Sequence, residues 1–220
     1  MTIQSLIDKQ DTFEIVRDKI AEILAVETAS QQALATAGGK DPDLWKLRVF
    51  TERSSAWEEW LNNPTDLAPI VNIWYDRSTF DPAGSNVVSK QKTVGVFNLD
   101  CYGYGRAADD PGGGHTPGDL EAAAVVQRAL RLVRNILMAS EYTYLSLRKT
   151  VWQRWPASVE AFQPQLDGRA VQQVWGARLA FQVTFWEFSP QYEGLELEYV
   201  SVTTKAPSGE VLMVTDFDYS

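Results

Sequence analysis

Thr93-Val94-Gly95-Val96-Phe97-Asn98-Leu99-Asp100-Cys101-Tyr102 is the stretch on which the fold turns. Phe97, Leu99 and Cys101 fall on one side of an alternating pattern, which predicts a strand with an apolar face. The glycine-rich run Ala107-Ala108-Asp109-Asp110-Pro111-Gly112-Gly113-Gly114-His115 follows, without periodicity. Thr116-Pro117-Gly118-Asp119 then opens a helix reaching about Ala139, with Thr116 as N-cap, Pro117 at the first helical position and Asp119 completing a capping box. Val126, Ala129, Leu130, Val133, Ile136 and Leu137 recur at helical spacing and form its buried stripe. Phe97, Leu99 and Cys101 are therefore expected to pack beneath Val126, Leu130, Val133 and Leu137.

Upstream, Phe13, Val16, Ile20, Ile23 and Leu24 predict an amphipathic helix, with Asp11 and Glu14 as a capping box and Gly38-Gly39 as its stop. Its alanine- and glutamine-rich second half, Ala29 to Ala37, is expected to fray. Leu44 to Thr51 reads as a strand, and Ser54 to Leu61 as a short helix with a Ser55–Glu58 box and Pro64 past its end. Leu67 to Tyr75 reads as a second strand with both faces covered, Ile70, Asn72 and Trp74 on one, Val71, Ile73 and Tyr75 on the other. Asp76 to Lys92 lacks a sustained apolar pattern and reads as a long connection, the tip of a hairpin if its flanking strands pair.

Downstream, Tyr142 to Leu166 has no clear assignment, being broken by Pro156 and Pro164, although Thr150 to Trp155 suits a strand. Trp175, Ala177, Leu179, Phe181, Val183 and Phe185 alternate with polar residues in a long half-buried strand. Leu195 to Thr203 and Val211 to Val214 read as two more strands, followed by the acidic tail Asp216 to Ser220. Together these elements predict an α+β fold, a mostly antiparallel sheet with one long and one or two shorter helices packed on it. One domain over 1–220 is expected, with 1–40 as a helical extension and 76–92 and 105–116 as long loops or arms.

The chain has 220 residues, 45% of them hydrophobic and eight of them tryptophan, so a sizeable core is available. Twenty Lys and Arg against 29 Asp and Glu give a formal charge of −9, which argues against tightly held nucleic acid. A single cysteine forms no internal disulfide. The first residues lack a basic segment followed by an apolar run, and nothing approaches the ~18 apolar residues of a membrane span. A soluble chain, cytoplasmic where it is made, is expected.

No stretch reads as catalytic, metal-binding or cofactor-binding. His115, with Asp109, Asp110 and Asp119 nearby, is the obvious suspect, but a lone loop histidine among turn residues is more often simply exposed. Gly112-Gly113-Gly114 lacks the Gly-Lys-Ser/Thr of a phosphate loop. Cys101 lies on an apolar strand face, where packing is its ordinary role. Glu187, Glu193, Glu196 and Glu198 resemble a glycosidase pair less than the wet face of a strand. Arg128, Arg131 and Arg134 make a stripe that reads first as a solvated helix face and second as a subunit contact. The loops are the better functional suspects, and the candidate assembly interface is Asp81, Asn86, Lys90, Arg106, Asp109, His115, Arg128, Arg131 and Arg134.

Ile70-Val71-Asn72-Ile73-Trp74-Tyr75-Asp76, then Gly95-Val96-Phe97-Asn98-Leu99-Asp100-Cys101-Tyr102-Gly103, then an arginine-punctuated helix, resembles neck and tail proteins of tailed bacteriophages. Trp175-Gly176-Ala177-Arg178-Leu179 and Phe188-Ser189-Pro190 add to the likeness, which covers about Leu67 to Gly194 and is nearest to the tail-terminator (tail-completion) proteins, those of Mu-like phages included. The resemblance implies a non-enzymatic virion protein that assembles as a homo-oligomer ring, typically a hexamer. Such a ring ends the tail tube and offers a surface to the head-completion or connector protein, with tail tube protein as its other partner. It implies residence in the host cytoplasm during assembly and then in the virion neck, with no cofactor, and an acidic lumen would let DNA pass without specific binding. A related neck role, as a head-completion or tube-joining protein, would look similar, and two readings of other classes stay open: a small-substrate enzyme using the His115 loop, and a monomeric adaptor with an aromatic groove around Trp152 and Trp155.

Overall fold

A computed structural model describes residues 9–63, 65–81, 90–109, 112, 114–164, 174–188, 199–205 and 211–218, the last two segments by their backbone alone. The fold is α+β. Helix α1 (Thr12–Ala37) starts where the sequence predicts, with the Asp11–Glu14 capping box formed. It ends in a Schellman turn: Gly39 takes φ +66°, its N–H reaches the Thr36 carbonyl and Lys40 N–H reaches Ala35. The second half is helical to Ala37, with Ala35 buried and most of its other side chains exposed, and the glycine turn satisfies carbonyls of the last turn.

A 3-10 turn (Pro42–Trp45) takes Leu44 and Trp45 out of the expected strand, and β1 is only Arg48–Thr51. The short helix begins as a 3-10 turn (Ala56–Glu58) and continues as α2 (Glu59–Asn62). Ser55 makes no side-chain capping bond there, so the expected box is absent. Strand β2 (Ile70–Phe80) and strand β3 (Lys90–Tyr104) form a long antiparallel hairpin, with a bulge between Tyr75 and Arg77. Residues 76–80 and 90–92, expected in a loop, are thus strand. Their polar side chains broke the apolar alternation, but pairing supplies the order, of 77–80 with β3 and of 90–92 with residues 186–188 of a later strand.

Two-residue strands β4 (Ala108–Asp109) and β5 (His115–Thr116) make a small ribbon within the expected arm 105–116. Thr116 belongs to this ribbon, so helix α3 (Gly118–Met138) has Pro117 as its N-cap and no side-chain cap. Asp119 instead accepts from its neighbour Leu120 N–H at 2.9 Å. A 3-10 turn (Ser140–Tyr142) leads to β6 (Val151–Phe162), which fills most of the unassigned region. β7 (Val174–Phe188) follows, then β8 (Tyr199–Lys205) and β9 (Val211–Asp218), a separate two-stranded ribbon. β9 therefore continues through Asp216 and Asp218, expected in a tail.

The main sheet has the order β1-β2-β3-β7-β6. Only β1 and β2 are parallel, and the segment carrying α2 provides the crossover that parallel neighbours require. One face is apolar. Val71, Ile73, Phe97, Leu99, Cys101, Leu179, Phe181 and Val183 form one core with Val16, Ile20 and Leu24 of α1 and Val126, Val133 and Leu137 of α3. Leu130 packs on the same cluster, partly buried, so the expected strand–helix contact is present. Burial of several leucine- and phenylalanine-sized side chains, at about 1.5–3 kcal/mol each, is the main force joining helices to sheet.

The opposite face carries a smaller cluster of Ala56, Trp60, Ile70, Tyr102 and Val174. Beside it Asp100, buried, accepts from both Arg178 Nε (2.7 Å) and Nη2 (2.9 Å), and from Trp74 Nε1 (2.9 Å). The Arg178 guanidinium also lies 4.8 Å from the Trp74 ring centre. Arg154 of β6 closes α3: its Nη2 donates to the Ala139 carbonyl and its Nε to that of Tyr142, each at 2.6 Å. A cation thus meets the negative end of the helix.

Candidate functional site

β3 ends against the first turn of α3, and glycine makes the approach possible. A Cβ on Gly105 would lie 2.0 Å from the Gly118 carbonyl oxygen and 2.4 Å from Ala122 N. This contact carries the chain from Tyr104 to Arg106 directly beneath α3, where Arg106 N–H donates to Glu121 Oε2 at 2.7 Å. The result is a groove of about 380 Å³ between that corner and the segment preceding β2. Arg106, Arg128, Lys46 and Tyr104 line it together with Asp43, Asp66 and Glu121.

The charges in the groove differ in how they are held. Lys46 Nζ and Ala68 N–H both donate to Asp66 Oδ1, at 3.0 and 3.2 Å. Burial alone would push the Asp66 carboxyl up, but these bonds and the charges of Lys46 and Arg48 hold it below the ordinary aspartate value. Glu121 is engaged by main chain. The guanidinium groups of Arg106 and Arg128 have no hydrogen bond or ion pair among the described residues. Two uncommitted cations therefore share a wall with three carboxylates.

The other expected interface residues are scattered. Arg131 and Arg134 stand exposed further along α3, so only Arg128 of the stripe enters the groove. His115 Nδ1 lies 2.9 Å from Asp109 Oδ1 across the β4–β5 ribbon, with both side chains largely in solvent. An exposed pair of this kind is worth little on its own. Lys90 sits at the far end of β3, roughly 45–50 Å away along the strand, with Nζ 4.0 Å from the Trp186 ring centre. Asp81 follows β2, its N–H bonded to the Lys92 carbonyl at 3.1 Å. Asn86 and Asp110 lie outside the described residues, as do Glu193, Glu196 and Glu198.

Several groups outside the groove hold defined positions. Glu187 of β7 accepts from Thr12 N–H at 2.8 Å and so caps α1 from a distant strand. Its carboxyl is pushed above the ordinary glutamate value, first by burial and then by the charge of Asp11, against the hydrogen bonds of the first helical turn. Burial raises the Cys101 thiol far above its usual range, which fits a packing role. Trp152 is 62% exposed on β6, and Trp155 is partly buried beside it. Among the described residues no three His, Cys, Asp or Glu side chains gather as a metal site would need. No helix there is long and apolar enough to cross a membrane. Compared with known proteins, the chain matches no family model and no curated protein.

Proposed function

We propose that this chain is a non-enzymatic assembly subunit that forms a ring, caps a phage tail tube and joins it to the head-side connector. The observation that carries the reading is the groove, where the guanidinium groups of Arg106 and Arg128, without a partner among the described residues, line the same wall as Asp43, Asp66 and Glu121. Both signs of charge are presented at close range, which suits a folded protein surface able to match each. A phosphate chain would meet three carboxylates in the same space. The resemblance of residues 67–194 to tail-terminator proteins supports this choice of assembly, and the −9 charge suits a lumen through which DNA slides.

The test is to incubate the purified chain with purified tail tubes and to image the tube ends. Rings at the ends are expected, and Arg106→Glu with Arg128→Glu should lower end occupancy by about tenfold, the equivalent of ~1.4 kcal/mol. Open tube ends with the unaltered chain, together with a monomer at every concentration in light scattering, would sink the reading. Salt-sensitive micromolar retention of DNA would remove the lumen part alone.

A further inference from the structure

The two ends of the sheet order are unlike. β1 offers four residues as an edge, whereas β6 offers twelve. The first half of β6 is blunted, because bulges interrupt its pairing at Val151/Gln153 and Pro156/Ser158 and Pro156 lacks an N–H. Past Pro156 these devices stop. Ser158, Val159, Glu160, Ala161 and Phe162 run in unbroken register with β7, and every residue from Ala157 to Ala161 is exposed. That run carries one charge, Glu160, and Val159 is 52% exposed. A regular, nearly uncharged edge of this kind is a template for another strand.

The same chain contains a two-stranded ribbon with no third strand among the described residues. β8 and β9 pair with each other and with no other described strand, and they make no extensive contact with any other described element. A two-stranded ribbon alone is marginal in water and needs a third strand or a packed layer. β8 reads Tyr199-Val200-Ser201-Val202-Thr203-Thr204-Lys205, rich in β-branched residues, with Lys205 as its one charge. β9 carries Asp216 and Asp218, which would repel Glu160. Lys205 would attract it.

We infer that the Ser158–Phe162 edge of β6 receives the β8 strand of a second copy of this chain, extending the sheet from one subunit into the next. The contact is head-to-tail, since edge and ribbon are different surfaces, and contacts of that type close into rings or propagate. It rests on the assembly reading above and names the surfaces that join the subunits.

Two full-length variants test it by complementation. Val159→Lys charges the edge and leaves the ribbon intact; Val202→Pro breaks the ribbon and leaves the edge intact. Light scattering should find oligomers for the unaltered chain and monomers for each variant alone. An equimolar mixture should recover two-chain particles and nothing larger, because one intact ribbon then meets one intact edge. A mixture that stays monomeric overturns the inference, as does a Val159→Lys chain that assembles like the original. In the second case the assembly reading survives, with its contacts elsewhere. An unaltered chain that is monomeric at all concentrations but caps tail tubes also overturns the inference while leaving the tube-end reading in place. Circular dichroism of both variants should match the parent, and a Val159→Lys chain that unfolds is replaced by Ala161→Lys on the same edge.

Discussion

The odd and even residues of β3 live in opposite chemical settings. On the helix side Phe97, Leu99 and Cys101 are held by hydrocarbon contact spread over two helices and three strands. On the other side Asp100 is held by three hydrogen bonds from two side chains, Arg178 and Trp74. The apolar face is redundant, so its loss is graded with volume removed. The polar face is conditional, because a buried carboxylate is tolerated only while its partners remain. One strand thus combines a forgiving surface with an unforgiving one.

The largest effect should come from the forgiving side all the same. Phe181→Ala, at the centre of the apolar cluster, is expected to cost about 3–5 kcal/mol in urea unfolding, since a full aromatic ring is lost from a packed core. Arg178→Ala should cost roughly 3 kcal/mol by leaving Asp100 almost unpaired, and more than Asp100→Ala, because Arg178 is 35% exposed by its side chain and Asp100 only 6%. Combining Asp100→Ala with Arg178→Ala should cost clearly less than the sum of the two. Strict additivity would break the contrast between the faces.

Arg154→Ala probes a smaller conditional site. Removing the guanidinium takes one donor from each of two carbonyls, Ala139 at the end of α3 and Tyr142 in the turn after it, and should cost about 1–2 kcal/mol in thermal or urea unfolding. The smallest effect is the pH response of Glu187. Its folded carboxyl takes up a proton at higher pH than the unfolded value near 4.5. The stability this gives is fully present below the unfolded value and is lost as pH rises through the folded one. Glu187→Gln keeps an acceptor for Thr12 N–H and should flatten the urea midpoint across that window, just above pH 4.5. An unchanged slope would remove Glu187 as its source.

These residues also show where sequence was informative. α1, β3, α3 and β7 announce themselves, since each has a sustained period, and α1 has a formed capping box as well. β6 does not, because Pro156 and two bulges break the alternation on which a strand is recognised. The outer part of β2 was hidden similarly, by the bulge after Tyr75 and the polar Asp76-Arg77-Ser78-Thr79. Arg106 and Arg128 were both candidates in the sequence, but their meeting depends on the glycine contact of Gly105 with Gly118, which no local period encodes. The Asp100–Arg178 pair left a faint trace as polar residues alternating in two strands. Which two would face each other required the register.

The bond from Glu187 to Thr12 also has a consequence in time. It ties the first turn of the first described helix to the strand that sits third of the three innermost in the sheet and among the last of them to be made. During synthesis, α1 leaves the ribosome with its local Asp11–Glu14 box but with neither the Glu187 contact nor most of the surface it will cover. β7 has to emerge before the middle of the sheet can close beside β3, so the closing contacts span most of the chain. Closure of the sheet is then postponed until β7 has been made, and the apolar stripe of α1 waits in solution until then. A pulse-labelled nascent chain halted before residue 174 should be protease-sensitive throughout, and one released past 188 should not.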